Sequence, residues 1–250
     1  MGQWGVLVIG HGSSRESWLN MVINTVEKAD ISVPCEVVFL EMVPDRTIQS
    51  GVDRLESLGV TDILIIPLFV SEGSTHIDEI KYAFGLIDTI PIDSHLPVIH
   101  TRSFIHFGQT LDAHPLIVEI LLERLQRMSV QPEAEYVVLA GHGSDKPGYL
   151  DKWARILESL SGQLMSKGGF AGVAGATTLP DTLKEEVARH QDARVLVLPL
   201  FLSEGYFTEK VIPRKLAGLD YIYTGEAYLP HPNISRWISE QVAQSIVMKA

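Results

Sequence analysis

The chain has 250 residues, 46% of them hydrophobic and 20% charged, and a formal net charge of −11. This length suits one large or two smaller domains, each able to bury a core of its own. The acidic balance argues against a nucleic-acid binder, whose footprint is a basic patch, although a few local Arg and Lys side chains can still gather an anionic substrate.

Residues 6–9 form an apolar run of strand character that stops at Gly10-His11-Gly12-Ser13-Ser14. Glycines on both sides of the histidine permit unusual backbone angles and close ligand approach. In an open α/β sheet the carboxyl end of a strand is where ligands bind. Next, Trp18, Met21, Val22 and Val26 recur at helical spacing, with Ser13 or Ser14 as the expected cap. Residues 36–40 read as a second buried strand with Glu41 at its carboxyl end, and Pro44-Asp45 opens a helix through Leu58 that Gly59 stops. Residues 62–70 are almost continuously apolar, as suits a parallel strand covered on both faces. The loop 71–76 follows, and a helix begins at His76. Residues 98–103 are expected as a short fourth strand and 115–128 as a helix. Strands alternating with helices indicate βαβ units and a parallel sheet.

Gln131-Pro132-Glu133-Ala134-Glu135 is the most polar connector, and the domain boundary is expected there, giving domains of 1–130 and 131–250. The order then repeats. Gly141-His142-Gly143-Ser144 follows another apolar strand, Pro180-Asp181 matches Pro44-Asp45, and Leu200-Phe201-Leu202-Ser203-Glu204-Gly205 matches Leu68-Phe69-Val70-Ser71-Glu72-Gly73. Pro230-His231-Pro232 resembles Ala113-His114-Pro115. Four matches in one order make this a duplicated α/β domain.

Cys35, the single cysteine, excludes an intramolecular disulfide and a thiolate metal cluster, and it reads as a small buried apolar residue. No stretch approaches the roughly 18 apolar residues of a membrane span, and no basic or long apolar leader precedes the first strand. A cytoplasmic protein, associated with neither membrane nor nucleic acid, is expected.

Three strands of the first half each end near a metal ligand or proton acceptor: His11, Glu41 and His76. Parallel strands point the same way, so these groups should converge on one rim. Two imidazoles and a carboxylate suit a borderline divalent metal, and equally a general base near neutral pH. Taken singly, Glu41 reads as a solvated strand-end carboxylate and His76 as a helix-start residue; their joint placement carries the argument. Aligning the Ser-Glu-Gly segments puts Thr208 at the place of His76, and counting back from the aligned prolines puts Thr177 at the place of Glu41. The active constellation is therefore expected in the first half, with His142 a retained structural or cleft-lining histidine. No phosphate-cradling Gly-x-x-x-x-Gly-Lys-Ser/Thr, dinucleotide Gly-x-Gly-x-x-Gly or Gly-x-Ser-x-Gly elbow appears. His95, His100, His106 and His114 are irregularly spaced and read as mostly surface or loop residues, although His100 and Arg102 near the fourth strand's end could face the site.

The Gly-His-Gly-Ser opening, the Phe39-Leu40-Glu41 strand end and the segment Pro67-Leu68-Phe69-Val70-Ser71-Glu72-Gly73-Ser74-Thr75-His76 together resemble the ATP-independent (class II) tetrapyrrole chelatases. Within them the two-domain sirohydrochlorin chelatase branch is most similar, over nearly the whole chain. The resemblance implies two flavodoxin-like α/β domains, each a parallel sheet flanked by helices, with a cleft between them. It implies insertion of Fe2+ or Co2+, with Ni2+ a further candidate, into sirohydrochlorin for siroheme or cobalamin synthesis, with no nucleotide. His11 and His76 then handle the metal and accept protons, with Glu41 the accompanying carboxylate. The substrate carboxylates are expected to meet Ser13 and Ser14 at a helix start, helped by Arg15, Arg46 and Arg102. A monomer is expected. The competing readings are a non-catalytic tetrapyrrole or metal carrier and a histidine phosphatase; the latter is disfavoured because Ile9-Gly10, and no arginine, precede His11.

Overall fold

The computed structural model describes residues 2–247 and holds two parallel sheets, one in each half of the chain. The first consists of β1 (Trp4–Gly10), β2 (Cys35–Phe39), β3 (Asp62–Pro67) and β4 (Phe104–Phe107), in the order β2-β1-β3-β4. β1 pairs with both β2 and β3, and Val6, Leu7, Val8 and Ile9 are all fully buried. Burial on both faces explains why this run lacks polar alternation. Helices α1 (Glu16–Glu27), α2 (Ile48–Ser57) and α3 (Thr75–Ala83) make the crossovers. This strand order is that of flavodoxin-like folds, in which ligands bind beyond the carboxyl ends of the strands.

Helix α4 (Pro115–Met128) leads to the second sheet, built from β5 (Glu135–Gly143), β6 (Gly172–Leu179) and β7 (Arg194–Pro199) in the order β6-β5-β7. Its helices are α5 (Tyr149–Gly168), α6 (Leu183–Ala188), the short α7 (Ile212–Lys215) and α8 (Pro232–Val247). A lone parallel bridge from Leu196 to Ile222 stands where the first sheet has its fourth strand. No helix among the described residues is long and apolar enough to cross a membrane.

Two expected elements come out differently. The helix expected from Pro44 is split into a 3-10 turn, Pro44–Arg46, and α2, because Thr47 keeps extended backbone, bridges to Phe39 and caps α2 by accepting from the Ser50 amide. The fourth strand is Phe104–Phe107, and residues 98–103 are irregular. There the chain wraps a carboxylate: Glu56 accepts from the Thr101 hydroxyl (2.7 Å) and the amides of Arg102 (2.6 Å) and Ser103 (3.2 Å). Burial alone pushes the Glu56 carboxyl up, but these donors outweigh it and hold it down to about 2.

The compact units also divide differently from the sequence repeat. One comprises the chain up to Leu111 together with the segment from Pro232 onward; the other is Asp112–His231. Each repeat's last helix, opened by His-Pro, thus belongs to the unit built from the other repeat. In the first unit α8 packs on α1 and β3, with the Ser235 hydroxyl donating to the Thr25 carbonyl (2.7 Å) and the Gln109 amide donating to Gln241 Oε1 (3.0 Å). In the second, α4 packs on α5 and β7, with the Gln163 amide donating to the Ala113 carbonyl (3.1 Å) and His231 paired with Glu123 (2.9 Å). The break at 131–135 therefore separates repeats and not units, because the apolar face of each terminal helix finds its complement in the other repeat.

Ile234, Trp237, Ile238 and Val242 of α8 are buried, and Trp237 is completely so. Trp237→Ala is expected to cost about 3–5 kcal/mol in chemical denaturation. Trp237→Phe is expected to cost clearly less, because the indole N–H of Trp237 has no partner among the described residues and its removal relieves that burial.

Candidate functional site

Gly12 fixes the turn at the carboxyl end of β1. Its φ is +106°, and a Cβ there would lie 2.0 Å from the carbonyl oxygen of Glu41. Gly143 repeats the arrangement, with φ +78° and 2.0 Å to the carbonyl oxygen of Leu179. The second glycine of each Gly-His-Gly is thus demanded by the close passage of the neighbouring strand end. The same passage sets the histidine beside that strand: the Glu41 amide donates to the His11 carbonyl (3.2 Å).

The structure brings His11, Glu41 and His76 together. His11 Nδ1 lies 3.6 Å from Glu41 Oε1, both side chains about half exposed. Beyond β3, the Leu68 amide donates to the Ile9 carbonyl (2.9 Å), and Ser71 accepts from the Gly73 amide (2.8 Å) to shape the turn into α3. His76 therefore sits in the first turn of α3, its ring edge-on to that of His11 at 4.8 Å between centroids and 6.0 Å from the Phe69 ring. Glu79, a buried residue absent from the sequence reading, stands 2.6 Å from His76 Nδ1 through its Oε2. The signal for it was the three-residue spacing on one helix.

Burial pushes the His76 imidazole below its ordinary pKa, and the neighbouring His11 adds to this, while the Glu79 hydrogen bond and charge oppose it. The neutral ring, the form that binds metal and accepts protons, is thereby favoured. Among the described residues no three His, Cys, Asp or Glu side chains are gathered so as to hold an ion together. The arrangement is a pair of imidazoles, each with a carboxylate behind it, rather than a closed cage.

The second unit keeps the backbone and replaces the chemistry, though not at the residues that counting suggests. His142 occupies the place of His11, with its Nδ1 2.9 Å from the Gly143 carbonyl oxygen. Its ring partner is Phe207, edge-on at 4.8 Å, so Phe207 and not Thr208 stands where His76 does. After Ser203-Glu204-Gly205 the chain turns helical at Tyr206, one residue sooner than Thr75 does after Ser71-Glu72-Gly73, and Thr208 lies in a π turn over Phe207–Val211, buried, its hydroxyl meeting Gly205. The strand register pairs Gly141 with Thr177 and Gly143 with Leu179, which makes Leu179 and not Thr177 the counterpart of Glu41. The proline count fails because the link to Pro180 is shorter than the link from Glu41 to Pro44. Thr177 is buried, its hydroxyl donating to the Pro180 carbonyl (2.7 Å).

The other expected binding residues divide. Ser13, Ser14 and Arg15 adjoin His11, with Ser14 and Arg15 exposed. Ser13 does not cap α1: its hydroxyl accepts from the Arg15 amide (3.1 Å), just as Ser144 accepts from Lys146, and α1 starts only at Glu16 without a side-chain cap. Arg46 turns back along the edge strand, donating to the Val37 carbonyl (3.4 Å). Arg102 lies at the other end of the sheet, two residues before β4 begins, beside Glu56 (3.3 Å). The misplacement of Arg102 follows from the misplaced fourth strand, and His100 goes with it. Cys35 is kept a thiol, its pKa pushed up to about 12 by burial and by Glu36.

The model of the CbiX family matches residues 5–128 and 136–245. A sirohydrochlorin ferrochelatase of Priestia megaterium is 27% identical over 216 residues, covering 82% of this chain and 76% of that protein. A sirohydrochlorin cobaltochelatase of the same organism is 25% identical over 222 residues, covering 82% and 66%. Among solved structures, SirB from Bacillus subtilis with Fe3+ superposes with a TM-score of 0.74 at 21% identity, over 97% of this chain and 95% of that one. This last likeness is one of fold.

Two outcomes are expected from the geometry. Gly12→Ala and Gly143→Ala should each lower stability by about 1–3 kcal/mol, read from denaturation midpoints, because both force an unfavourable φ and a clash with a carbonyl oxygen. The lowered pKa of His76 means that the unfolded chain takes up a proton that the folded chain refuses. Stability should therefore fall as pH drops below about 6.5, and His76→Gln should flatten that fall between pH 7 and 5.

Proposed function

The chain belongs to the CbiX family, and from that membership we propose that it inserts a divalent metal, Fe2+ or Co2+, into sirohydrochlorin without the help of a nucleotide. The observation that carries this reading is the facing pair of His11 and His76, 4.8 Å apart and each backed by a carboxylate. The metal is a substrate here and must leave as part of the product. A pair of imidazoles leaves most coordination positions open, so pyrrole nitrogens can replace water before the histidines let go. Nitrogen ligands of this kind accept Fe2+, Co2+ and Ni2+ alike, and availability decides among them.

Charge and proton balance assign the remaining roles. The macrocycle gives up two N–H protons as the dication enters, so the reaction needs an acceptor beside the metal and a route to water. His11, once its nitrogen has let go of the metal, is the proton acceptor in this reading. Glu41, half exposed and 3.6 Å from His11 Nδ1, passes the protons outward. His76, more buried and favoured as neutral, holds the metal. Ser13, Ser14 and Arg15 meet the substrate's carboxylates.

The test is an anaerobic mixture of protein, sirohydrochlorin and Co2+, followed by the change in macrocycle absorbance. His11→Ala should slow insertion by roughly 100-fold or more, the scale of lost general base catalysis, His76→Ala should slow it as well by removing a nitrogen that holds the metal, and Glu41→Gln should slow it by less. His142→Ala should proceed at the wild-type rate. Unchanged rates in both of the first two variants contradict the assignment.

A further inference from the structure

Glu79 takes no direct part in metal insertion, and its surroundings are unusual. It is a carboxylate with 6% of its surface exposed, and its side-chain contact is His76 Nδ1 at 2.6 Å. Acidic residues are rarely buried unless paired, and an ionised carboxylate can only accept hydrogen bonds. With Glu79 ionised, the hydrogen in this contact belongs to His76, so a neutral ring carries it on Nδ1 and keeps its lone pair on Nε2. The pair is built into the first turn of α3, which Ile77, Ile80 and Ala83 anchor in the core. Phe69 and His11 flank the same ring, at 6.0 Å and 4.8 Å between centroids. Rotation of the imidazole would break the Glu79 bond and strand a buried charge. The contact from His11 to Glu41 is different: it is 3.6 Å long and open to solvent on both sides.

We propose that Glu79 is a positioning residue that locks His76 in the Nδ1–H tautomer, so that Nε2 is the atom presented to the incoming metal. The two carboxylates of the site then have separate duties. Glu41 exchanges protons with water, whereas Glu79 is sealed from it and acts only through His76. The proposal rests on the reading of this site as one that handles a divalent metal. Carboxylates behind metal-binding imidazoles typically change affinity by about 10–100-fold when removed.

Two measurements on the full chain test it. Long-range 15N–1H NMR of His76 should show Nδ1–H in the wild type and a shift toward Nε2–H in Glu79→Ala. Titration with Co2+ alone, followed by its visible absorption, should give a Kd higher by roughly 10–100-fold in Glu79→Ala. Glu79→Gln should fall between, since the amide oxygen can still accept the Nδ1 hydrogen. An Nε2–H tautomer in the wild type overturns the proposal, and that observation needs no variant to fold. An unchanged tautomer and unchanged Kd in Glu79→Ala overturn it as well. If the wild type fails to bind Co2+, the metal reading of the site falls, while the tautomer measurement still decides what Glu79 does.

Discussion

The site depends on how closely β1 and β2 pass at their carboxyl ends. At Gly12 the chain runs so near the Glu41 carbonyl oxygen that a single added carbon would lie 2.0 Å from it. This contact turns the backbone out of the sheet directly after His11 and leaves His11 and Glu41 side by side. β3 completes the arrangement because its end is tied to β1 through the Leu68 amide and the Ile9 carbonyl. Three strands held in parallel register thus deliver three side chains to one rim. The core beneath is what keeps the rim in place, since Val6, Leu7, Val8 and Ile9 admit no solvent.

Duplication supplies an internal control. Gly143 makes the same close passage against Leu179, and His142 occupies the same turn, yet the ring facing it is a phenyl and the neighbouring strand end is a leucine. Gly-His-Gly is therefore a statement about backbone geometry in both halves. What distinguishes the first unit is the company of His11: Glu41, His76 and, behind it, Glu79. A phenyl ring fills the volume of an imidazole and offers no lone pair, so the second unit retains the packing without a second imidazole facing His142.

Much of this was legible from residue order. Buried parallel strands show themselves as unbroken apolar runs, and the strand ends then follow, which sets His11, Glu41 and His76 on one rim. Other features depend on information that periodicity does not carry. Hydrophobic spacing in residues 232–247 says that a helix buries one face, but not that the face lies against the other repeat's sheet. Counting assumes equal loops, and both the link after Leu179 and the entry into the helical turn after Gly205 are shorter than their counterparts in the first half. Residues 98–103 have the β-branched, apolar character of a strand, but hydrogen bonds to Glu56 hold them irregular, and Arg102 was assigned to the wrong end of the sheet in consequence. Glu79 lies in a helix interior, which the pattern of strand ends does not mark.

The central claim is that the first unit alone presents a pair of imidazole nitrogens to a divalent metal. It is tested most directly by anomalous X-ray diffraction from crystals of the protein soaked in Co2+. The account predicts a cobalt peak within about 2.0–2.2 Å, the usual metal–imidazole distance, of Nε2 of both His11 and His76, and no peak at His142. A peak at His142, or cobalt bound elsewhere with His11 and His76 left bare, would contradict it.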